Sequence, residues 1–153
     1  MENRTIKIFI SSSCELSAER KALAEFATEV NNIWCDKGIK VIPVEWEFVD
    51  PGLNGGSKQE EYYQKIDECV RCVVMFATKV GKYTKEELDY ALQRAKEGKD
   101  PKRVDVLFKC DDFEQLEGKV KRLHKRLMRK QMFPEQINNF NTFESLKLKF
   151  LTY

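Results

Sequence analysis

The chain has 153 residues, the size of one ordinary domain, with 42% apolar and 34% charged side chains. That mix supplies a core and a solvated surface, and it excludes a disordered or fibrous chain. Lys and Arg number 27 against 25 Asp and Glu, so the net charge of +2 argues against a protein built to coat nucleic acid and leaves room for a local basic patch only.

Ile6–Ile10 (IKIFI) is a β-rich run that ends in Ser11-Ser12-Ser13 and feeds a helix. From Leu16 the apolar positions Leu23, Ala24, Ala27, Val30, Ile33 and Trp34 recur with a period near 3.6, and Gly38 stops the helix. Ile39–Trp46 (IKVIPVEW) reads as a second strand, at a sheet edge because Pro43 has no N–H for a ladder. Phe48–Ser57 is a loop with three glycines and a proline. Lys58–Glu68 reads as a helix with Tyr62, Tyr63 and Ile66 inward. Cys72–Ala77 (CVVMFA) is an unbroken apolar run, as expected of a strand covered on both faces. Thr84–Lys96 is a helix with Leu88, Ala91, Leu92 and Ala95 on one stripe. Val104–Phe108 is a strand, and Phe113–Lys130 is a long basic helix with Leu116, Val120, Leu123 and Leu127 buried. Gln131–Phe140 is ambiguous, and a short helix covers Phe143–Phe150.

Strands and helices alternate, which predicts a parallel sheet with helices on both faces. The expected architecture is one α/β domain over 1–153, a three-layer sandwich around four or five parallel strands in the doubly wound order 2-1-3-4-5.

No apolar run approaches the roughly 18 residues of a spanning helix, and the polar Met1–Thr5 shows no signal peptide. Five cysteines (Cys14, Cys35, Cys69, Cys72 and Cys110), an odd number, fit a reducing, cytoplasmic setting. Cys69-x-x-Cys72 has redox or zinc spacing, but no second pair accompanies it and His124 is the only histidine, so buried thiols without a metal are expected.

In a sheet of this order ligands bind beyond the carboxyl ends of the strands, where the order reverses between the first and third. The first strand ends in Ser11, Ser12 and Ser13; the third ends in Thr78, Lys79 and Gly81; the glycine-rich 50s loop follows the second. Small hydroxyl residues at a helix start suit a phosphate, although Ser12 and Glu15 also fit the S-x-x-E capping box. Neither G-x-G-x-x-G nor G-x-x-x-x-G-K-[ST] is present, which disfavours a dinucleotide fingerprint and a P-loop. Tyr83 and Glu87, four apart, share a helix face, where a ring beside a carboxylate can stack a base and meet a ribose. Carboxylates in a first turn are also common simply because they favour the positive end of the helix dipole.

These segments resemble a known family. Ile8-Phe9-Ile10-Ser11-Ser12-Ser13-Cys14-Glu15-Leu16-Ser17-Ala18-Glu19-Arg20 resembles the opening of a TIR-like group of domains of unknown function, with the pattern F-[IV]-S-S, then [DE]-L, then E-R. Lys82 to Leu92 is similar to the TIR stretch aromatic-x-x-x-E-[LIF]-x-x-A-L, and the 50s loop stands where TIR domains carry their BB loop. The resemblance implies a flavodoxin-like fold. It also implies that Glu87 is the glutamate that cleaves the nicotinamide–ribose bond of NAD in TIR-type hydrolases, by stabilising an oxocarbenium-like centre or holding the ribose hydroxyls. Tyr83 then takes the aromatic position usually filled by tryptophan, Trp46 adds a stacking face or packs in the core, and Ser11, Ser12, Ser13 and Thr78 complete the substrate site. NAD enters as substrate, with no further cofactor.

The implied setting is a bacterial cytoplasmic signalling or defence domain that self-associates or meets another TIR-like domain. Two alternatives follow: a non-catalytic TIR-like module for docking or self-assembly, and, ranked third, a nucleoside deoxyribosyltransferase-like enzyme, whose Gly-Thr lead-in to the glutamate is replaced here by Lys85-Glu86. The basic stretch Glu117–Lys130 holds seven Lys and Arg. It reads as a solvated outer face, or else as a contact for nucleic acid, an acidic protein or a charged nucleotide. Without interleaved aromatics or zinc spacing, sequence readout of nucleic acid is not expected.

Overall fold

The computed structural model describes residues 4–12, 14–45, 63–129 and 137–151. Five strands, β1 (Arg4–Ser12), β2 (Ile39–Glu45), β3 (Arg71–Phe76), β4 (Arg103–Lys109) and β5 (Ile137–Phe140), form one sheet in the order β2-β1-β3-β4-β5. Every neighbouring pair is parallel. The architecture is therefore α/β with the flavodoxin-like order 2-1-3-4-5, and the ambiguous segment before residue 140 supplies the fifth strand.

The strand order follows from burial. All six residues of β3 are buried, as a central parallel strand requires. Cys72, Val74 and Phe76 enter one core, with Phe9, Leu88, Ala91, Val120, Leu123 and Leu127. Val73 and Met75 enter the opposite one, with Ile10, Leu23, Ala27, Leu146 and Phe150. The helices thus fall into two layers. Helices α2 (63–67), α3 (Lys82–Lys96) and α4 (Gly118–Arg129) cover one face; α1 (Ser17–Trp34) and α5 (Phe143–Leu151) cover the other. Each fully buried Leu or Phe in these layers contributes about 1.5–3 kcal/mol relative to exposure. β2 lies at the edge and accommodates Pro43 opposite Ile8 of β1.

Element ends obey local chemistry. Helix α1 gives way to a 3-10 turn, Cys35–Lys37, and Gly38 follows at φ 76. Helix α3 closes with a Schellman motif: Gly98 N–H donates to Ala95 O at 3.0 Å and Lys99 N–H to Arg94 O at 2.9 Å. One expectation is corrected. The segment 113–130 is not a single helix: Phe113–Gln115 is a 3-10 turn, Leu116 is extended at ψ 141, and α4 begins only at Gly118. Asp112 and Gln115 form a reciprocal capping box on the short turn, and Gly118, at φ 60, redirects the chain. The buried stripe is as expected, with Leu116, Val120, Leu123 and Leu127 all in the core. The expected helix over 58–68 is described only at 63–67, where Ile66 is fully buried; Tyr62 and the 50s loop lie outside the described residues.

Candidate functional site

Helix α3 starts at the carboxyl edge of the sheet, directly after β3. Thr84, Glu87, Leu88 and Ala91, at helical spacings of three, four and seven, are its buried stripe. An acid at the second of these positions must enter the protein. There Glu87 meets the end of β1, and Ser11 Oγ donates a hydrogen bond to Glu87 Oε2. Both groups are buried, with 4% of Ser11 and 7% of Glu87 exposed. Burial pushes the Glu87 carboxyl up to about 7, against the downward pull of the Ser11 bond and of the Arg20 guanidinium; neighbouring Glu86 adds to the rise. A carboxyl with this affinity exchanges its proton near neutrality, the range in which general acid–base work is most effective.

The turn after β1 is tied to its surroundings by charge. The Glu15 carboxylate accepts from Thr78 N–H at 2.8 Å, Lys79 N–H at 2.9 Å and Thr78 Oγ1 at 2.5 Å, bridging the loops that follow β1 and β3. Adjacent free N–H groups at a strand end are an anion site, and here an internal carboxylate occupies it. Arg20 Nη1 donates to Ser12 Oγ at 3.1 Å, and Glu19 accepts from Lys109 Nζ, at the end of β4, at 2.8 Å. Glu19 and Arg20 are themselves buried, 8% and 4% exposed.

Of the residues expected at the site, Ser11 and Glu87 are in direct contact. Ser12 is held by Arg20, and Thr78 is engaged by Glu15 from the segment that follows β1. Ser13, Trp46 and the side chain of Tyr83 lie outside the described residues. Sequence reasoning assigned Glu15 to a capping box and gave Glu19 and Arg20 no role. The signal was present: Leu16, Glu19, Arg20 and Leu23 repeat at helical spacing, so the two charged residues share the inward face of α1.

Cys69 and Cys72 are fully buried, with Cys69 Sγ donating to Lys65 O at 3.2 Å. Burial pushes the Cys69 thiol up to about 12 and Cys72 well above its ordinary value, so neither is a ready thiolate. His124 stacks on Phe113 at 4.2 Å, edge-on to Phe108 at 5.3 Å, and burial lowers its pKa. Among the described residues no group of His, Cys, Asp and Glu can hold a metal ion.

A family model described as DUF4062, domain of unknown function, matches residues 7–151. The chain belongs to the DUF4062 family. Its match begins within β1 and runs through α5, so the serine turn, Glu15, Arg20 and Glu87 all lie inside the DUF4062 domain. Among curated proteins nothing matches this DUF4062 chain. Two solved structures are similar to it. The metal-soaked Flv1 flavodiiron core from Synechocystis sp. PCC6803 aligns at a TM-score of 0.54 and 16% identity, over 97% of this chain and 34% of that one. Rubredoxin oxygen:oxidoreductase from the anaerobe Desulfovibrio gigas aligns at 0.48 and 16% identity, with the same coverage. The DUF4062 chain thus spans about a third of the length of these structures. The likeness to the flavodiiron core is one of fold, the flavodoxin-like core already evident in the sheet order. Among the described residues no helix is long and apolar enough to cross a membrane.

Proposed function

We propose that this DUF4062 domain is TIR-like and hydrolyses NAD at the nicotinamide–ribose bond, with Glu87 as the catalytic carboxylate, in bacterial signalling or defence. The observation that carries the reading is a buried carboxyl, hydrogen-bonded by Ser11, at the carboxyl edge of the sheet beside the point where strand order reverses; that burial raises its pKa. In the reaction nicotinamide leaves as a neutral base, water adds to the ribose C1′ and a proton is released. The ionised Glu87 offsets positive charge developing on the ribose, and its low-dielectric setting strengthens that interaction. Ser11 fixes the carboxylate's orientation, and Arg20 holds Ser12 in the adjoining turn.

Nicotinamide release from NAD, followed at high protein concentration, tests this. Expected are a rate that rises as pH increases through about 7, because ionised Glu87 is the working form, and a drop of at least 100-fold in Glu87→Gln. Release unchanged in Glu87→Gln moves the chemistry elsewhere.

One observation favours a second reading, a non-catalytic docking or self-assembly module. The Thr78 and Lys79 donors after β3 are bonded to Glu15, and Glu87 is bonded to Ser11, so these polar groups are matched within the chain. Absence of nicotinamide release under every assembly condition favours that module.

A further inference from the structure

The flank of α3 that faces α4 carries a separate concentration of chemistry. Both helices follow strands of a parallel sheet, so both begin at its carboxyl edge with the positive ends of their dipoles directed the same way. Between them lies a groove of about 430 Å³ lined by Val80, Lys85, Lys119, Arg122, Leu123 and Arg126. Its origin is in the spacing of α4. Val120, Leu123 and Leu127 are committed to the core, which places Lys119, Arg122 and Arg126, spaced three and four apart, in one line along the flank. That line is about 10 Å long.

The charge of the groove is only partly matched. Asp89 pairs with Arg126 Nη2 at 3.3 Å and with Lys85 Nζ at 3.9 Å. All three side chains are well exposed, and such pairs contribute little. Among the described residues Lys119 and Arg122 have no carboxylate partner, and the buried Nε of Arg126 has no hydrogen-bond acceptor. A buried donor of this kind is costly unless an oxygen reaches it. Guanidinium groups match phosphate oxygens in pairs of hydrogen bonds. Among the described lining residues none is an aromatic side chain of the sort that stacks bases along a single strand, which turns the assignment away from nucleic acid.

We propose that the α3–α4 groove is a binding site for an oligophosphate, a chain of two or three phosphates lying along Lys119, Arg122 and Arg126 with Lys85 on the opposite wall. The site is distinct from Glu87, which is two residues from both Lys85 and Asp89 and therefore on another side of α3, so the inference does not rest on the NAD reading. The ligand is either a nucleoside triphosphate, with its base over Val80, or inorganic oligophosphate.

Calorimetric titration of the full chain at low ionic strength with inorganic triphosphate, ATP and AMP tests the assignment. Both triphosphates are expected to bind at least tenfold more tightly than AMP and to weaken steeply with salt. The double variant Lys119→Glu/Arg122→Glu, at exposed positions outside the buried stripe, is expected to lose at least tenfold in affinity while keeping the wild-type melting temperature. ATP binding more tightly than triphosphate identifies a nucleotide site, and equal affinity identifies an inorganic one. The proposal is overturned if neither triphosphate binds, or if charge reversal leaves their affinity unchanged. A single-stranded oligonucleotide that binds more tightly than triphosphate, with the same sensitivity to the reversal, overturns it in favour of nucleic acid.

Discussion

At Glu87 folding and chemistry pull in opposite directions. Burial raises the carboxyl pKa from its ordinary 4.5 to about 7, with one short-range partner, Ser11, and one nearby cation, Arg20, as partial compensation. Between those two pH values the folded chain holds a proton that the unfolded chain has released. Stability therefore falls as pH rises from about 4.5 to about 7, by up to roughly 3 kcal/mol, and is insensitive to this group below 4.5. Glu87→Gln keeps an acceptor for Ser11 and removes the titration. The variant is expected to be about 1–3 kcal/mol more stable than wild type at pH 8, with the gain vanishing below pH 4.5. Urea unfolding at a series of pH values measures this; a variant no more stable at pH 8 shows that Glu87 is not strained by burial. The position of Glu87 was legible because an acid early in the helix after a central strand has a fixed place in this topology. The partner of Glu15 was not, since Thr78 lies 63 residues away and no local pattern encodes that contact.

Apolar period and apolar runs located four of the five strands and the helices between them where they are described, the short β5 stayed ambiguous, and end chemistry set the limits of the elements. The stripe of α4 was readable from its apolar spacing. The interruption before it was not, because Leu116 fits the stripe and masks the break. Two local signals mark it: the Asp112-x-x-Gln115 capping box and Gly118. Gly118 has open space around its missing Cβ, so substitution there acts on backbone conformation alone. Gly118→Ala is expected to cost about 1 kcal/mol, from forcing an L-residue to φ 60. Thermal or denaturant unfolding measures it. An unaltered midpoint indicates that the turn relaxes to a right-handed conformation at no cost. The neighbouring basic flank of α4 is a consequence of the same geometry: once the apolar stripe is docked, Lys119, Arg122 and Arg126 fall on the groove.

Across the molecule the two helical layers are joined to the sheet by more than apolar packing. At the amino edge, Arg71 of β3 donates to Asp105 of β4 at 2.6 Å and to the Phe150 carbonyl of α5 at 2.7 Å, and lies over the Phe150 ring at 4.6 Å. Arg103 adds a second contact to Asp105 at 3.2 Å. Arg71 and Asp105 are buried, and breaking one side of such a pair leaves an uncompensated charge. Asp105→Asn is expected to destabilise by about 3 kcal/mol or more, whereas the double change Arg71→Met/Asp105→Leu costs less than the single one. Guanidinium denaturation of both variants measures the difference, and a double variant as unstable as the single one refutes the uncompensated-charge account. Apolar period, glycine and proline positions and the alternation of strand with helix are local quantities. A single chain read from end to end therefore carries the element order, the central place of β3 and the edge place of β2. Which polar groups meet is a matter of distance in three dimensions. The pairing of Ser11 with Glu87, Glu15 with Thr78, Arg71 with Asp105, and the line of cations opposite Lys85 came into view only once the layers were packed, because burial and charge depend on neighbours that lie far apart along the backbone.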